Sequence, residues 1–376
     1  MISVWEKETF YSPQDIIIIG SGFVGLWSAF YLKKRNPALK ITIIDRGIIP
    51  TGASTRNAGF ACFGSLTELL ADEQRVGTDR MLELVAMRYR GLEKIRKTFS
   101  KKEIDMDLCG GYELFTGTEG AITGDLQEQV NYLNETLKKI VKKKTFRLAD
   151  QKIRSFGFGD IKHLVRNDLE GYLHSGKLLT ALLYKTRMMG VQVLNNIEID
   201  KFEKISSRIE IETRQAINLS ARQILICVNG FAKQLMPDLD VEPARGQMLL
   251  TSPIKNLPWK GTFHYQQGYY YFRNLGNRVL LGGARNLDPQ EEKTFSLETT
   301  DKIQQELERF LKEIILPGRN YTIENRWSGI MGIGSEKMPI LRELSPSVFC
   351  CVRMSGMGVA LAPLLGEKTA KLMESS

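Results

Sequence analysis

The sequence predicts an α/β fold (α+β overall) in which a domain built on a buried parallel sheet is interrupted by a domain with a mostly antiparallel β-sheet. Two observations support this prediction. Continuous apolar runs at 15–19 and 41–44 are typical of strands that are buried on both faces of a parallel sheet. Between 242 and 285 the pattern alternates with period two and is rich in Tyr, Phe and Thr, which indicates antiparallel strands. We therefore expect two domains joined by several chain crossings.

The first strand opens a strand–turn–helix–strand unit that carries a GxGxxG motif. Gly20 would make the tight turn, Gly22 would let the backbone approach a pyrophosphate at the helix N-terminus, and Gly25 would allow close helix packing. A helical stretch runs to about Arg35, and the next strand ends in Asp45, which is suited to accept from a ribose hydroxyl. The unit predicts a Rossmann-like domain that binds NAD or FAD rather than NADP. The predicted cofactor contacts are Gly20, Ser21, Gly22, Phe23, Val24, Gly25, Asp45 and Arg46.

The later elements follow from periodicity and from turn residues. The pattern predicts a helix over 178–189, strands over 190–194 and 223–228, a charged helix over 297–315 and a C-terminal helix over 359–373. Internal repeats and low-complexity linkers are not evident in the sequence.

The net charge of +9 allows an anionic partner, but its distribution argues against nucleic acid. The densest basic run, 138–144, closes a segment from 126 whose apolar residues recur at three- and four-residue spacing. We expect one amphipathic helix with lysines in its last turn, where they complement the helix dipole. Because aromatic residues are not interleaved among the lysines, a nucleic-acid partner is not expected.

The cysteine pattern predicts reduced thiols and a cytoplasmic protein. Five cysteines without CxxC spacing and only three histidines indicate neither a disulfide framework nor a metal site. The longest apolar run, 356–366, is eleven residues and falls short of the roughly 18 that a membrane span needs. The first fifteen residues lack the apolar segment of a secretory signal, so neither a membrane span nor export is expected.

A run of small and polar residues, Thr51-Gly52-Ala53-Ser54-Thr55-Arg56-Asn57-Ala58-Gly59, stands where a third helix would otherwise begin. Small side chains allow a flat ring system and a pyrophosphate to lie against the backbone. With this segment the sequence resembles the D-amino-acid-oxidase-like FAD-dependent oxidoreductases, including glycine, sarcosine and γ-glutamylputrescine oxidases and D-amino-acid dehydrogenases, which carry a similar GAS-x-RNAG segment beside the flavin. The resemblance continues in the family's order through 171–179, 243–247, 268–273, 281–285, 327–329 and 355–363.

This resemblance implies an FAD-binding domain and a substrate domain. The FAD should be non-covalent, because the cysteine that tethers flavin in sarcosine oxidases falls at about Gly329. Gly356 and Gly358 precede the C-terminal helix, so free N–H groups and the positive dipole end would face the pyrimidine edge of the flavin. The implied FAD-binding domain is 1–90, 150–232 and 327–376, and the substrate domain is 91–149 and 233–326. The further cofactor contacts are Ser54, Arg56, Asn57, Ala58, Gly59, Ile199, Val228, Asn229, Gly230, Gly356, Met357, Gly358, Val359 and Ala360.

Four residues are predicted to form the catalytic and substrate-binding site: Tyr271, Arg285, His264 and Arg273. Strand alternation places Tyr269, Tyr271 and Arg273 on one face. The resemblance implies that Tyr271 lines the substrate pocket over the flavin. Arg285 closes the next strand and could hold a substrate carboxylate by a bidentate pair, and His264 could be a polar group of the pocket. The alternatives are a surface ion pair for either arginine and a structural hydrogen bond for His264.

The sequence also departs from the family at several functional positions. The carboxylate-binding residues of relatives fall at Met331, Gly356 and Ala360, which puts simple α-amino acids in doubt as substrates. The lysine with which sarcosine oxidases activate oxygen falls near Leu280. This weakly favours another electron acceptor, whose identity is left open.

The resemblance implies oxidation of a C–N bond in a small amine or an N-substituted or D-amino acid. In the family, hydride passes from the carbon that bears nitrogen to flavin N5, and water hydrolyses the resulting imine. Two alternatives remain open on the sequence. One is an FAD-dependent 2-hydroxy acid or polyol-phosphate dehydrogenase, and the other is an RNA-acting or RNA-binding protein on the same fold.

Overall fold

The computed structural model describes residues 1–116 and 125–375. Most of its strands fall into two eight-stranded sheets, and helices cover one or both faces of each. The strands are β1 (Gln14–Ile19), β2 (Ile41–Asp45), β3 (Phe60–Ala61), β4 (Gly111–Thr116), β5 (Phe146–Leu148), β6 (Ile161–Asn167), β7 (Gly171–Tyr172), β8 (Gln192–Asn195), β9 (Ile199–Ile205), β10 (Arg208–Thr213), β11 (Asn218–Ile226), β12 (Glu242–Thr251), β13 (Thr262–Tyr265), β14 (Tyr270–Leu275), β15 (Arg278–Gly283), β16 (Ile323–Ile333), β17 (Ile340–Ser345) and β18 (Val348–Val352). The α-helices are α1 (Val4–Thr9), α2 (Phe23–Arg35), α3 (Ala53–Arg56), α4 (Leu66–Val76), α5 (Thr78–Thr98), α6 (Leu126–Leu137), α7 (Ile153–Phe156), α8 (Ser175–Met188), α9 (Ala232–Leu235), α10 (Asp301–Phe310) and α11 (Gly358–Ser375).

The first sheet confirms the predicted parallel core. Its strand order is β17-β18-β11-β1-β2-β8, with the β9–β10 hairpin attached to β11. The central pairs are parallel, and Ile17 lies between Thr42 and Ile224 on the two neighbouring strands. The side chains of β1 are buried on both faces, which explains its unbroken run of isoleucines.

Helix α11 packs closely against α2 and α5 because glycines remove the side chains at the contacts. A Cβ on Gly91 would overlap the carbonyl oxygen of Ala360, and one on Gly366 would lie 2.6 Å from the backbone carbon of Trp27. Leu26, Trp27 and Leu361 are fully buried in the resulting core. This packing fixes the N-terminus of α11 next to the ends of the parallel strands.

The second sheet is antiparallel at every pair except β13–β4, and its order is β16-β12-β15-β14-β13-β4-β6-β5. One face carries an aromatic core against α10, in which Phe263 and Phe272 stack with ring centroids 4.7 Å apart. Tyr270 is buried on this same face. Tyr271 therefore points to the opposite face, as the predicted alternation requires.

Strand pairing revises the predicted domain boundaries. Strand β6 lies in the segment from residue 150 that was assigned to the FAD-binding domain, yet it pairs with β4 and β5 in the second sheet. The second half of β16, assigned to the FAD-binding domain from residue 327, pairs along its length with β12. The predicted boundaries follow local sequence motifs, whereas sheet membership is decided by hydrogen bonding between distant strands.

Two helices, α6 and α10, differ from their predicted bounds. Helix α6 stops at Leu137, where the N–H of Lys138 bonds to the carbonyl of Glu135 and tightens the chain, so the lysines follow the helix rather than occupying its last turn. The charged helix begins at Asp301 rather than 297, because the N–H of Thr300 is bonded to the side chain of Gln247 while the chain is still extended.

All five cysteines are free thiols in the structure. Within residues 1–116 and 125–375, no helix has both the length and the apolar character that crossing a bilayer needs. Over the same residues, no three His, Cys, Asp or Glu side chains are grouped closely enough to hold a metal ion.

Candidate active site

A cavity of about 800 Å³ is lined by residues of both sheets, and its size is that of a ligand-binding site. The parallel sheet contributes the ends of β1, β2 and β11, and the antiparallel sheet contributes β13, β14 and the end of β15. The following predicted residues line it: Gly20, Gly22, Phe23, Val24, Asp45, Arg46, Ser54, Arg56, Asn57, Ala58, Gly59, Ile199, Val228, Asn229, His264, Tyr271, Arg285, Gly356, Met357, Gly358, Val359 and Ala360.

The turn between β1 and α2 lines the cavity with Gly20 and Gly22. Gly20 has φ +105°, and a Cβ there would lie 2.9 Å from the carbonyl oxygen of Cys227. Gly22 is the N-cap of α2 and has no side chain of its own to cap the helix. The N–H of Phe23 donates to Ser54 Oγ at 2.9 Å. This arrangement is suited to a phosphate group.

Asp45 is already oriented at the end of β2. One carboxylate oxygen accepts from the N–H of Ser21 at 2.8 Å and from its Oγ at 2.6 Å, and the other accepts from the N–H of Gly47 at 2.9 Å. A carboxylate has about four acceptor positions, so one remains for a ribose hydroxyl.

Three predicted cofactor contacts do not line the cavity and instead support residues that do. Ser21 holds Asp45. Gly25 packs against the turn, where a Cβ would overlap the carbonyl oxygen of Gly20. Gly230 packs in the same way against the carbonyl of Met331. Their contribution to cofactor binding is therefore indirect.

The run of small and polar residues after β2 forms a one-turn helix, α3. Arg56 fixes this turn, since its Nε donates to the carbonyl of Thr51 at 2.8 Å and its Nη1 to that of Ser328 at 2.9 Å. The indole N–H of Trp327 donates to the carbonyl of Arg56 at 3.1 Å. Because Trp327 and Ser328 lie on β16, this segment is attached to the antiparallel sheet.

The opposite wall is the turn before α11. Ser355 and Gly356 have positive φ values of 49° and 82°, and the turn is joined to the end of β11 by the N–H of Met354, which donates to Asn229 Oδ1 at 3.0 Å. The N-terminal residues of α11 line the cavity. Together with the glycine turn, the N-terminus of α2 and the preoriented Asp45, these features fit FAD.

Three neutral rings, those of Phe60, His264 and Tyr271, lie together at the other end of the cavity. In the register of the sheet His264 is paired with Tyr271, and Phe60 meets both rings edge-on at 5.1 and 6.0 Å. Burial raises the pKa of Tyr271 to about 12, and Arg285 opposes that shift. Burial lowers the pKa of His264 to about 4 despite the nearby Glu68. The buried Nε2 of His264 has no hydrogen-bond partner among the described residues.

Arg285 supplies a cation at this end of the cavity. It follows β15 in a short 3₁₀ turn, and its guanidinium carbon lies 5.7 Å from the ring centre of Tyr269. The acidic residue closest to it in sequence, Asp288, pairs with Lys302 at 2.7 Å instead. Among residues 1–116 and 125–375 the guanidinium has no ion pair, so it is available for an anion in the cavity and the alternative of a surface ion pair is not seen there.

Arg273, predicted to face the substrate with Tyr271, does not line the cavity. Its Nη1 donates to the carbonyls of Gly59 at 3.1 Å and Leu173 at 2.8 Å, and its guanidinium lies 4.2 Å from the ring centre of Tyr172. The predicted face is correct, but the cavity ends before the strand reaches Arg273. Arg273 thus supports the segment at Gly59 rather than the substrate.

We expect Arg273→Met to lower the free energy of unfolding by about 1–3 kcal/mol, because it removes the buried hydrogen bonds from the guanidinium to the carbonyls of Gly59 and Leu173. Urea unfolding monitored by circular dichroism measures this loss. The matched control is Arg278→Met on the next strand, whose side chain pairs with Glu324 at the surface. If Arg273→Met leaves the stability unchanged but weakens substrate binding, Arg273 contacts the substrate as the sequence predicts.

Sequence reasoning missed a charged wall of the same cavity. Glu68 and Asp72 project from α4, Arg88 from α5 and Lys337 from the loop after β16. Arg88 bonds to Glu68 at 2.9 Å, and Lys337 bonds to Asp72 at 2.7 Å and to Glu68 at 3.5 Å. The four-residue spacing of Glu68 and Asp72 indicates a shared helix face, but nothing in the sequence indicates which partners face them.

Two buried carboxyl groups fix the chain just before Glu68. Glu170 accepts from the N–H groups of Phe63 at 2.7 Å and Gly64 at 3.1 Å, and Glu113 accepts from the side chain and N–H of Thr67. Burial raises the pKa of Glu170 to about 8 and that of Glu113 to about 7, although these hydrogen bonds oppose the shift. Both are thus protonated more readily in the folded protein than in the unfolded chain.

The raised pKa of Glu170 predicts a pH dependence of stability. Between about pH 5 and pH 8 the folded state binds more protons at this carboxyl than the unfolded state, so stability falls as the pH rises. We expect Glu170→Gln, a neutral isostere, to remove about 1–3 kcal/mol of that decline. Urea unfolding of both proteins at the two pH values measures the difference. Parallel curves for parent and variant would contradict the prediction.

Comparison with known proteins agrees with this architecture. Probable oxidoreductase OrdL of Haemophilus influenzae is 21% identical over 376 residues, which cover 95% of this chain and 82% of that protein. The crystal structure of L-proline dehydrogenase from P. horikoshii has a TM-score of 0.77 at 18% identity and covers 97% of this chain and 94% of that one. Glycine oxidase from Bacillus cereus has a TM-score of 0.73 at 17% identity, with coverage of 96% and 95%.

At these identities the solved structures show a common fold. The family evidence is independent of them, because it comes from a match of the sequence to a family description over residues 15–372. Residues 15–372 include residues from every strand of both sheets and the residues that line the cavity. The chain belongs to the FAD dependent oxidoreductase family, DAO.

Proposed function

We propose that this FAD-dependent oxidoreductase oxidises a C–N bond in a small amine or amino acid that carries an anionic group. The observation that supports it best is the single cavity, which joins the turn at Gly20 and the preoriented Asp45 to a chamber containing Tyr271, His264 and Arg285. Two of the similar structures are named for amino-acid substrates, glycine and L-proline.

The proposed cofactor contacts are the residues that line the first part of the cavity. The N-terminus of α2 would bind the pyrophosphate, Asp45 a ribose hydroxyl, and the turn from Gly356 to Ala360 the pyrimidine edge of the flavin. Non-covalent FAD would supply the redox chemistry by accepting the hydride from the substrate carbon.

The residues of the chamber would bind and orient the substrate. Arg285 would hold the anionic group by charge-assisted hydrogen bonds. Tyr271 stays protonated because of its raised pKa, so its hydroxyl can donate to the substrate. His264 stays neutral near pH 7 because of its lowered pKa, so it adds no positive charge that would repel a substrate ammonium. Phe60 packs against both rings and restricts water at this wall.

The alternatives receive less support. The exposed lysines that follow α6 do not line the cavity, so the basic run has no structural link to the cofactor site. A hydroxy acid or polyol phosphate would also carry an anionic group for Arg285. Such a substrate is therefore distinguished from an amine only by which compound reduces the flavin.

Anaerobic reduction of the bound flavin tests the proposal. A panel of amines, amino acids and N-substituted amino acids is mixed with the FAD-loaded protein beside matched hydroxy acids and polyol phosphates, and bleaching of the flavin absorbance is followed. We expect a nitrogen compound with a carboxylate to be the fastest reductant. Reduction by hydroxy acids alone would establish the first alternative. A protein that cannot be loaded with FAD would overturn the proposal altogether.

A further inference from the structure

The charged wall of the cavity has unused acceptor capacity. Glu68 and Asp72 are 11% and 10% exposed, and their ion pairs with Arg88 and Lys337 all use one oxygen of each carboxylate, Oε1 and Oδ1. Among the described residues, the second oxygens, Oε2 of Glu68 and Oδ2 of Asp72, receive no hydrogen bond. Both carboxylates line the cavity, so these oxygens are suited to accept from a ligand.

Among the described residues the cations of this wall are ion-paired, whereas Arg285 is not. Arg88 is 3% exposed and bonded to Glu68, and Lys337 bridges both carboxylates. Burial alone would raise the pKa of Glu68, but Arg88 and Lys337 outweigh it and hold the pKa at about 2. The charged wall thus offers the ionised carboxylate of Glu68 to a hydrogen-bond donor, whereas Arg285 is suited to an anionic group.

Three neighbouring strands of the antiparallel sheet carry or lead to the residues of the chamber. Arg285 follows β15, Tyr271 lies on β14, and His264 lies opposite Tyr271 on β13 and senses the charge of Glu68. Neighbouring strands are about 4.8 Å apart, so the backbones of β15 and β13 are separated by about 10 Å. His264, 6% exposed and with its Nε2 unpartnered among described residues, lines the same cavity as Glu68.

We propose that the substrate is bipolar, with an anionic group bound by Arg285 and an ammonium group bound by Glu68. This inference rests on the proposed function, because it takes the chamber at Arg285 and Tyr271 as the substrate site. Two hydrogen bonds of about 2.9 Å plus a linker of about 5 Å span the roughly 10 Å between β15 and β13, so an ω-amino acid such as γ-aminobutyrate is a suitable probe with two separated charges.

Ligand binding to the FAD-loaded wild-type protein tests the charge requirement. γ-Aminobutyrate, butyrate, n-butylamine and succinate are titrated anaerobically, and binding is read from the perturbation of the flavin absorbance and from the thermal shift. We expect γ-aminobutyrate to bind at least about tenfold more tightly than the other three. Succinate binding as tightly would show that Lys337 and Arg88 form a second anion site, and butyrate binding as tightly would show that the wall is not used. Either result overturns the inference.

The variant Glu68→Gln tests the assigned residue. We expect it to reduce the affinity for γ-aminobutyrate to that for butyrate while leaving the affinity for butyrate unchanged. Because Glu68→Gln leaves Arg88 buried without a carboxylate, the double variant E68Q/R88M, which removes both charges, is measured beside it. The control is Glu73→Gln, on the same helix and outside the cavity lining. An undiminished preference for γ-aminobutyrate in both Glu68 variants would refute the role of Glu68.

The outcomes separate this inference from the proposed function. Failure of every nitrogen compound to reduce the flavin would contradict C–N oxidation, whatever the ligand preference. Reduction by amines together with equal binding of bipolar and singly charged ligands would leave the proposed function standing and remove only the bipolar substrate.

Discussion

Gly22→Val is expected to abolish FAD retention while the chain still folds. Gly22 has an ordinary φ of −68°, and a Cβ there meets no described atom closer than Ser54 Oγ at 3.0 Å, so the apoprotein can accommodate a side chain after a small shift. The same side chain occupies the space through which a pyrophosphate reaches the N-terminus of α2. Loss of two charge-assisted hydrogen bonds of about 2 kcal/mol each weakens FAD binding by roughly a thousandfold.

The measurement is the ratio of flavin to protein after gel filtration, with circular dichroism as the check on folding. Gly176→Val is a suitable control, because Gly176 lies in the first turn of α8 and outside the cavity lining. Gly22→Ala should give an intermediate loss. Full flavin occupancy in a folded Gly22→Val protein would show that the motif is only a turn.

Arg285→Ala is expected to weaken the binding of an anionic substrate by about 2–4 kcal/mol, or roughly 30- to 1,000-fold, without changing the flavin spectrum. The physical reason is that Arg285 is a cation of the chamber without a carboxylate partner among the described residues, so its removal leaves the substrate anion desolvated. The turn that carries it is held by backbone hydrogen bonds, so the truncation should spare the fold.

Steady-state kinetics and ligand titrations on the best substrate of the anaerobic panel measure this effect. Arg278→Ala is the matched control, because Arg278 begins the same strand but pairs with Glu324 at the surface. Equal handling of the substrate by Arg285→Ala and the parent protein would exclude anion binding by Arg285 and indicate an uncharged amine. A loss confined to the Arg278 variant would point to a different part of the sheet.

The parallel core and the turn at Gly20 could be predicted from the sequence because their signals are local. A strand buried on both faces needs an unbroken apolar run, and the positive φ of Gly20 and the close contact at Gly25 need glycine wherever they occur. Strand alternation likewise identified the face of Tyr271 from its immediate neighbours. Each of these features is specified within fewer than about thirty consecutive residues, the length of one βαβ unit.

The charged wall and the end of the cavity could not be predicted in this way. Glu68 and Lys337 are 269 positions apart in sequence, and each alone is an ordinary residue of an amphipathic helix or a loop. The role of Arg273 could not be predicted for the same reason. Alternation predicts which face of β14 carries its side chain, but the point at which another segment covers that face depends on contacts between distant elements.

The order of the strands has a consequence for synthesis of the protein. The chain builds β1 and β2 for the first sheet, adds β4 to β6 to the second, returns with β8 to β11, crosses again for β12 to β16, and completes the first sheet with β17 and β18. Because β18 and α11 follow all the other strands and helices in the chain, the wall from Gly356 to Ala360 is missing while the two sheets are being synthesised. FAD can therefore be enclosed only after α11 has left the ribosome, so until then the nascent chain must remain free of aggregation without the help of its cofactor.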